Sequence, residues 1–281
     1  MKTIKKIDSL RKELYLYVKK RIGLVPTMGY LHNGHLSLID QSIKENDISV
    51  VSVFVNPYQF GPNEDFNVYP RDMERDLKLL EEIGVDILFL PDSKEMYPEN
   101  FSTFVEVEKL SKVLCGRSRP THFRGVCTVV LKLFNIVNPN NVYFGAKDAQ
   151  QAVIIKRMKE DLNLDINIRV MPIVRDEDGL ALSSRNRYLS KKEREAALLM
   201  PEALKKVNIL INNGLFEANE IRKKIVGELK KSKYIKIDYV EVVNLKTLKS
   251  VEIIDKENTL VAAAIKVGET RLIDNFILGE I

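Results

Sequence analysis

Val25–Ile39 reads VPTMGYLHNGHLSLI, and the fold follows from what surrounds it. The residues that lead into it, Arg21–Pro26, form an apolar strand-like run. The residues that leave it, His35–Lys44, carry helical periodicity. Between them lie Gly29 and Gly34, which let the backbone approach a ligand closely. A strand that turns through such a segment into a helix directs the helix N-terminus, with its unpaired N–H groups, at whatever occupies the turn. A phosphate suits that position.

The same alternation continues. Ile48–Val55 is a valine-rich strand, Asp72–Ile83 an amphipathic helix, and Val85–Leu90 a short strand. Phe104–Val107 is expected to add another strand. Thr121–Val137 is a mostly apolar, buried helix. Asn141–Phe144, Asp148–Leu162 and Ile166–Met171 then read strand, helix, strand. Alternation of this kind predicts right-handed crossovers and a parallel sheet with helices on both faces.

The pattern changes after Arg175. RDEDGLALSSRNRYLS (175–190) is polar, carries Gly179 and reads as a flexible loop. Ser190 and Glu193 have the spacing of a capping box that opens a new helix. Two further helical segments follow, then strand-like runs at Ile235–Val243, Leu260–Val267 and Arg271–Leu278, the last two joined by a turn at Gly268–Thr270. We therefore expect two domains, residues 1–175 and a smaller α+β domain at 176–281.

Bulk properties narrow the function classes. The chain has 281 residues, 45% hydrophobic and 30% charged, which is ample for a core. Lys and Arg (44) barely outnumber Asp and Glu (39), for a net charge of +5. So thin an excess suits anionic small molecules as readily as nucleic acid. Cys115 and Cys127 form no C-x-x-C, and reduced thiols in a cytoplasmic protein are the simpler reading. The charged N-terminus is not a secretory signal, and no run is long enough to span a membrane.

Four polar clusters each follow an expected strand, and in an open parallel sheet that is the edge where ligands bind. The first is the opening stretch itself. His32 and His35, three residues apart, share a face at a helix start and can donate to phosphate oxygens. No third ligand accompanies them to make a zinc site. The second is Asn56–Gly61, where Asn56 and Gln59 are neutral amides fit to read hydroxyls and carboxylates. The third is FGAKDAQQ (144–151). Lys147 is a compact charge for a polyphosphate. Asp148 either caps the following helix or binds a ribose hydroxyl, and Gln151 lies one turn in. There is no Walker P-loop. The fourth is Ser183-Ser184-Arg185, two hydroxyls and a forked cation able to clamp a leaving pyrophosphate.

His32-Asn33-Gly34-His35 paired with Leu182-Ser183-Ser184-Arg185 resembles the HIGH and KMSKS signatures of nucleotidylyltransferases and class I aminoacyl-tRNA synthetases. The flanking text narrows the resemblance. PTMGYLHNGH, FVNPYQFGPNEDFNVYPR, RPTHFRGV, FGAKDAQQ and DGLALSSRNRYLS together resemble the pantothenate synthetase (pantoate–β-alanine ligase) family over nearly the whole chain.

That resemblance implies a Rossmann-like, doubly wound ATP domain covered by the smaller domain, a homodimer, and Mg²⁺. It implies an ATP site at Met28, Gly29, Tyr30, Leu31, His32, Asn33, Gly34 and His35. It extends that site to Gly145, Ala146, Lys147 and Asp148, to Val174, and to Leu182, Ser183, Ser184 and Arg185. It implies pantoate at Gln59 and Gln151, β-alanine near Gln59, and His35 as proton donor. Leu182 stands where many relatives have Met, a similar apolar volume. Asp76 is the one candidate offered for Mg²⁺.

The implied reaction joins pantoate to β-alanine through an acyl-adenylate, releasing AMP and pyrophosphate. Two alternatives are a nucleotidylyltransferase acting on a phosphorylated substrate and an RNA-binding module. The first would want a second cation cluster, the second a basic, aromatic-studded appendage.

Overall fold

The computed structural model describes residues 1–62 and 64–281; Asn63, inside the Phe54–Arg71 motif, lies outside the described residues. The chain begins with β1 (Lys2–Ile4) and α1 (Ile7–Tyr15), then β2 (Ile22–Thr27), α2 (Asn33–Glu45) and β3 (Ile48–Val53). Next come α3 (Met73–Ile83), β4 (Ile87–Phe89), the one-turn helices α4 (Ser93–Met96) and α5 (Cys115–Ser118), and α6 (His122–Val137). β5 (Asn141–Gly145), α7 (Ala149–Asp161) and β6 (Asn167–Met171) complete the first sheet.

That sheet is parallel throughout, in the order β1-β4-β3-β2-β5-β6. The chain runs outward from β2 through β3 to β4, then returns to the other side of β2 for β5 and β6. The order therefore reverses between β2 and β5, which makes that gap the switch point. β2 and β3 read as near-continuous apolar runs because helices cover both faces. Leu24 and Val50 pack on one side with α1 and α6. Val25 and Val51 pack on the other with α2 and α3.

Pro26 shapes the switch point. It has no N–H to donate to a neighbouring strand. Pairing of β2 with β3 runs on to Thr27, whereas pairing with β5 ends at Leu24. Beyond Leu24 the two central strands part, and the opening between them is where the site lies.

The second sheet is antiparallel, in the order β7 (Ile235–Asn244), β8 (Asn258–Val267), β9 (Thr270–Gly279). It packs on α8 (Lys191–Ala197), α9 (Leu199–Asn212) and α10 (Ala218–Leu229) through a core that includes Ala203, Val207, Ile221, Val242 and Val261. The capping box of Ser190 and Glu193 is formed. Gly268 lies in the β8–β9 turn at a positive φ.

The structure departs from the sequence reading in three places. Phe104–Val107 is not a strand. Its apolar pattern comes from packing: Phe104 stacks edge-on against Tyr58 and Phe101, while Val105 N–H donates to Thr128 Oγ1. β1 has no counterpart among the expected strands, and it extends the sheet beside β4. The polar segment after Arg175 is a hydrogen-bonded hairpin. Arg175 bridges Ala181, Asp176 N–H reaches Leu180 O, and Arg194 grips both Asp176 and Asp178.

Candidate active site

The crevice at the switch point gathers residues from every polar cluster. Met28, His32, Gly34 and His35 line it from the β2–α2 turn, and Asn56 and Gln59 from the segment after β3. Gly145, Lys147, Asp148 and Gln151 come from the β5–α7 junction, and Val174, Leu182, Ser183, Ser184 and Arg185 from the hairpin. Gly29, Tyr30, Leu31, Asn33 and Ala146 shape the surrounding backbone without lining it.

The β2–α2 turn is held under strain. Gly29 has φ 83° and Tyr30 φ 50°, and for tyrosine that left-handed conformation is costly unless fixed by its surroundings. Asp76 fixes it. Its two carboxylate oxygens accept the N–H groups of Tyr30 (2.7 Å) and Leu31 (2.8 Å) from a nearly inaccessible position on α3. Burial raises the Asp76 pKa, against the two backbone hydrogen bonds. Each oxygen accepts one backbone N–H, so Asp76 positions the turn. Among the described residues no three His, Cys, Asp or Glu side chains form a metal site.

The two histidines cap α2 with their Nδ1 atoms. His32 Nδ1 accepts from Gly34 N–H at 3.2 Å, and His35 Nδ1 accepts from His32 N–H at 3.3 Å. Each neutral ring therefore carries its proton on Nε2, leaving one N–H donor per ring. Burial, followed by the charge of Lys147, lowers His32 to about 4. Burial, then His32 and Lys147, hold His35 well below the usual imidazole range. With centroids 4.0 Å apart the rings form one neutral donor pair.

The amide side of the crevice is wired differently from expectation. Asn56 lines it, but its amide is spent: Oδ1 accepts from Tyr97 Oη at 2.8 Å, and Nδ2 donates to Gln59 Oε1 and Gly125 O at 3.1 Å each. Gly125 is required there, since a Cβ would lie 2.1 Å from Tyr58 O. Asn56 thus orients Gln59. With Gln59 Oε1 occupied, its Nε2 donates one N–H to Met28 Sδ at 3.0 Å and keeps the other for a ligand.

Asp148 occupies the N-cap of α7, makes no side-chain capping bond and lines the crevice. Next to Gln151, Gln150 is buried and structural; it takes Cys115 N–H and donates to Leu110 O and Val113 O.

Sequence reasoning missed Arg119 and His122, which also line the crevice. His122 Nδ1 donates to Gln59 O at 2.8 Å and its Nε2 meets Arg119 Nη1 at 3.1 Å. Burial and then the Arg119 charge lower this histidine to about 3. Arg119 is itself paired with Glu64. The RPTHFRGV motif was the available signal, but no strand precedes it to mark it as part of the site.

A family model described as pantoate-beta-alanine ligase matches residues 1–277. The chain belongs to the pantoate-β-alanine ligase family. It is 56% identical over 282 residues to the pantothenate synthetase of Pseudothermotoga lettingae, covering 100% of both chains. It is 58% identical over 257 residues to that of Acetivibrio thermocellus, covering 92% of this chain and 91% of the relative. Among solved structures, pantothenate synthetase from Thermus thermophilus superposes with a TM-score of 0.95 at 43% identity, covering 100% of each chain. Pantoate-beta-alanine ligase from Francisella tularensis, complexed with beta-gamma ATP and beta-alanine, gives 0.81 at 36% identity, covering 99% of this chain and 97% of that one. The six-stranded parallel sheet and small three-stranded domain are those of this ligase family. No helix among the described residues is long and apolar enough to cross a membrane.

Proposed function

We propose that this ligase works through a pantoyl-adenylate, with ATP, pantoate and β-alanine all bound in the switch-point crevice. Hydroxide is a poor leaving group, so a carboxylate does not condense with an amine in water until it is activated. In the first half-reaction the pantoate carboxylate attacks the α-phosphorus of ATP in line and pyrophosphate leaves. In the second, the β-alanine amine attacks the mixed anhydride, forms the amide and releases AMP.

The observation that carries this reading is the neutral His32–His35 donor pair beside Lys147, with the two amides Gln59 and Gln151 lining the same crevice. Nε2–H donors aimed at developing phosphate charge stabilise it without themselves titrating. Because both histidines are held neutral, His35 serves as a hydrogen-bond donor to phosphate and not as an imidazolium acid. Lys147 and Arg185 offset the charge of the leaving pyrophosphate. Asp148 takes a ribose hydroxyl, and Gln59 Nε2 donates to the acid substrate. The complex of the Francisella relative with beta-gamma ATP and beta-alanine supports ATP and β-alanine as ligands. Mg²⁺ would arrive on the triphosphate, with substrate oxygens and water as its ligands.

A nucleotidylyltransferase would need spare cations for a second phosphorylated substrate. Beyond Lys147 and Arg185, which the pyrophosphate engages, the crevice offers Arg119, and that guanidinium is paired with Glu64. The segment from 176 onward serves as the cover, and a homodimer in the cytoplasm completes the proposal.

Pantoate-dependent exchange of labelled pyrophosphate into ATP without β-alanine tests the adenylate. Exchange is expected; AMP released only when β-alanine is present, with no exchange before it, would overturn the two-step route.

A further inference from the structure

β9 of the small sheet braces the Lys147 side of the crevice from behind through two consecutive residues. Asn275 is nearly inaccessible, and its Nδ2 donates to the carbonyls of Ala146 (3.0 Å) and Lys147 (2.9 Å). Those carbonyls belong to the 3₁₀ turn Ala146–Asp148 that presents Lys147. Asn275 Oδ1 is buried without a partner. The amide keeps this orientation because the reverse would set Oδ1 against two carbonyl oxygens.

Its neighbour Asp274 grips the other phosphate-facing segment. The fully buried Asp274 carboxylate takes Arg175 Nη1 at 2.7 Å and Nη2 at 3.0 Å, and Arg175 Nη1 also donates to Gly179 O. One strand of the small domain therefore sets the lysine turn and the Ser183–Arg185 hairpin relative to each other.

We propose that Asn275 is a positioning residue for triphosphate binding, acting through Lys147 by holding the Ala146–Lys147 carbonyls. This rests on the reading of Lys147 as a phosphate ligand. Asn275 does not line the crevice itself. Losing its two donations frees the turn, and the ammonium then spends less time where the β- and γ-phosphates lie.

The test uses the full chain and measures binding of β,γ-imido-ATP, AMP and pantoate by calorimetry, with circular dichroism and melting as controls for folding. Asn275→Leu keeps the shape and removes both donors. It is expected to weaken the ATP analogue roughly tenfold, while AMP and pantoate shift less than about twofold. In a Lys147→Ala background the same substitution should change analogue binding less than about twofold, because the coupling partner is gone. Asn275→Gln, which keeps the donor on a longer arm, should recover part of the loss. If the Leu variant does not fold, Asn275→Ala takes its place. Equal weakening of analogue and AMP, or an undiminished effect without Lys147, would overturn the proposal and leave Asn275 a structural residue only. A wild-type chain indifferent to Lys147→Ala would instead overturn the phosphate role of Lys147.

Discussion

Arg185 and Asp65 face each other at the mouth of the crevice, with Arg185 Nε and Nη2 each 2.8 Å from one of the two Asp65 carboxylate oxygens. The pair is largely removed from solvent, with side chains 26% and 23% exposed. Asp65 belongs to the segment after β3 and Arg185 to the hairpin leading into the small domain, so one fork joins the two walls of the site.

This pairing makes Arg185→Lys a sharp test. An ammonium cannot reproduce the two-pronged contact with carboxylate or pyrophosphate. Steady-state kinetics should show the KM for ATP rising about tenfold with that for pantoate little changed. Asp65→Asn should lower stability by about 1–3 kcal/mol in urea unfolding, because it strands a half-buried guanidinium. An unchanged midpoint would show that the pair is a solvated contact.

His35→Ala removes one fixed donor. The rate of pyrophosphate exchange is expected to fall by about 10²–10³, with the circular dichroism spectrum unchanged. Because both histidines are neutral, the exchange rate of the wild type should show no imidazole titration between pH 6 and 8. A bell limb near pH 6.5 that vanishes in the variant would mean that His35 works as an acid after all.

Gln59 depends on its supports. Replacing Gln59 or Gln151 with Ala should raise the KM for pantoate far more than that for ATP. Tyr97→Phe removes the hydroxyl that fixes the Asn56 amide, which in turn presents Gln59 Nε2. A smaller rise of a few-fold, again confined to pantoate, is expected, about 1 kcal/mol for one neutral hydrogen bond. A rise confined to ATP would show that the crevice is divided differently.

Stability should depend on pH through the same imidazoles. His32 and His122 are lowered to about 4 and about 3, and His35 is lowered well below its ordinary value. A histidine depressed in the native state binds fewer protons than the unfolded chain between its native pKa and 6.5. Stability therefore rises with pH across that window and is flat above it. Urea midpoints should be constant from pH 8 to 7 and decline from 6.5 toward 4. His122→Gln should make the decline shallower; an unaltered slope would place the titrating group elsewhere.

Much of the fold was legible because local signals and tertiary demands agree. The apolar runs of β2 and β3, the Ser190–Glu193 box and the Gly268 turn all behave as their residue types require. Phe104–Val107 differs because a β-branched and aromatic pattern also serves an aromatic cluster, and only pairing partners distinguish the two. The polar clusters were legible because each follows a strand of a parallel sheet. The order of the hairpin was only partly legible within its own residues, because beside the Arg175–Ala181 bridge it rests on Arg194 and Asp274, which lie outside the segment.

The sequence by itself determined the strand–helix order, the placement of His32, His35, Lys147 and Gln59 at strand ends, and the family. Those properties depend on periodicity and residue type, which are local. Only the tertiary structure decided what Asp76, Asn56 and Asn275 do. Asp76 braces Tyr30 and Leu31 across 45 or more residues of chain, and Asn275 holds carbonyls more than a hundred residues away. A carboxylate or an amide has the same chemistry at the crevice and behind it. Its role depends on which distant donors and acceptors folding brings within hydrogen-bond reach, and on whether burial leaves any of its own free.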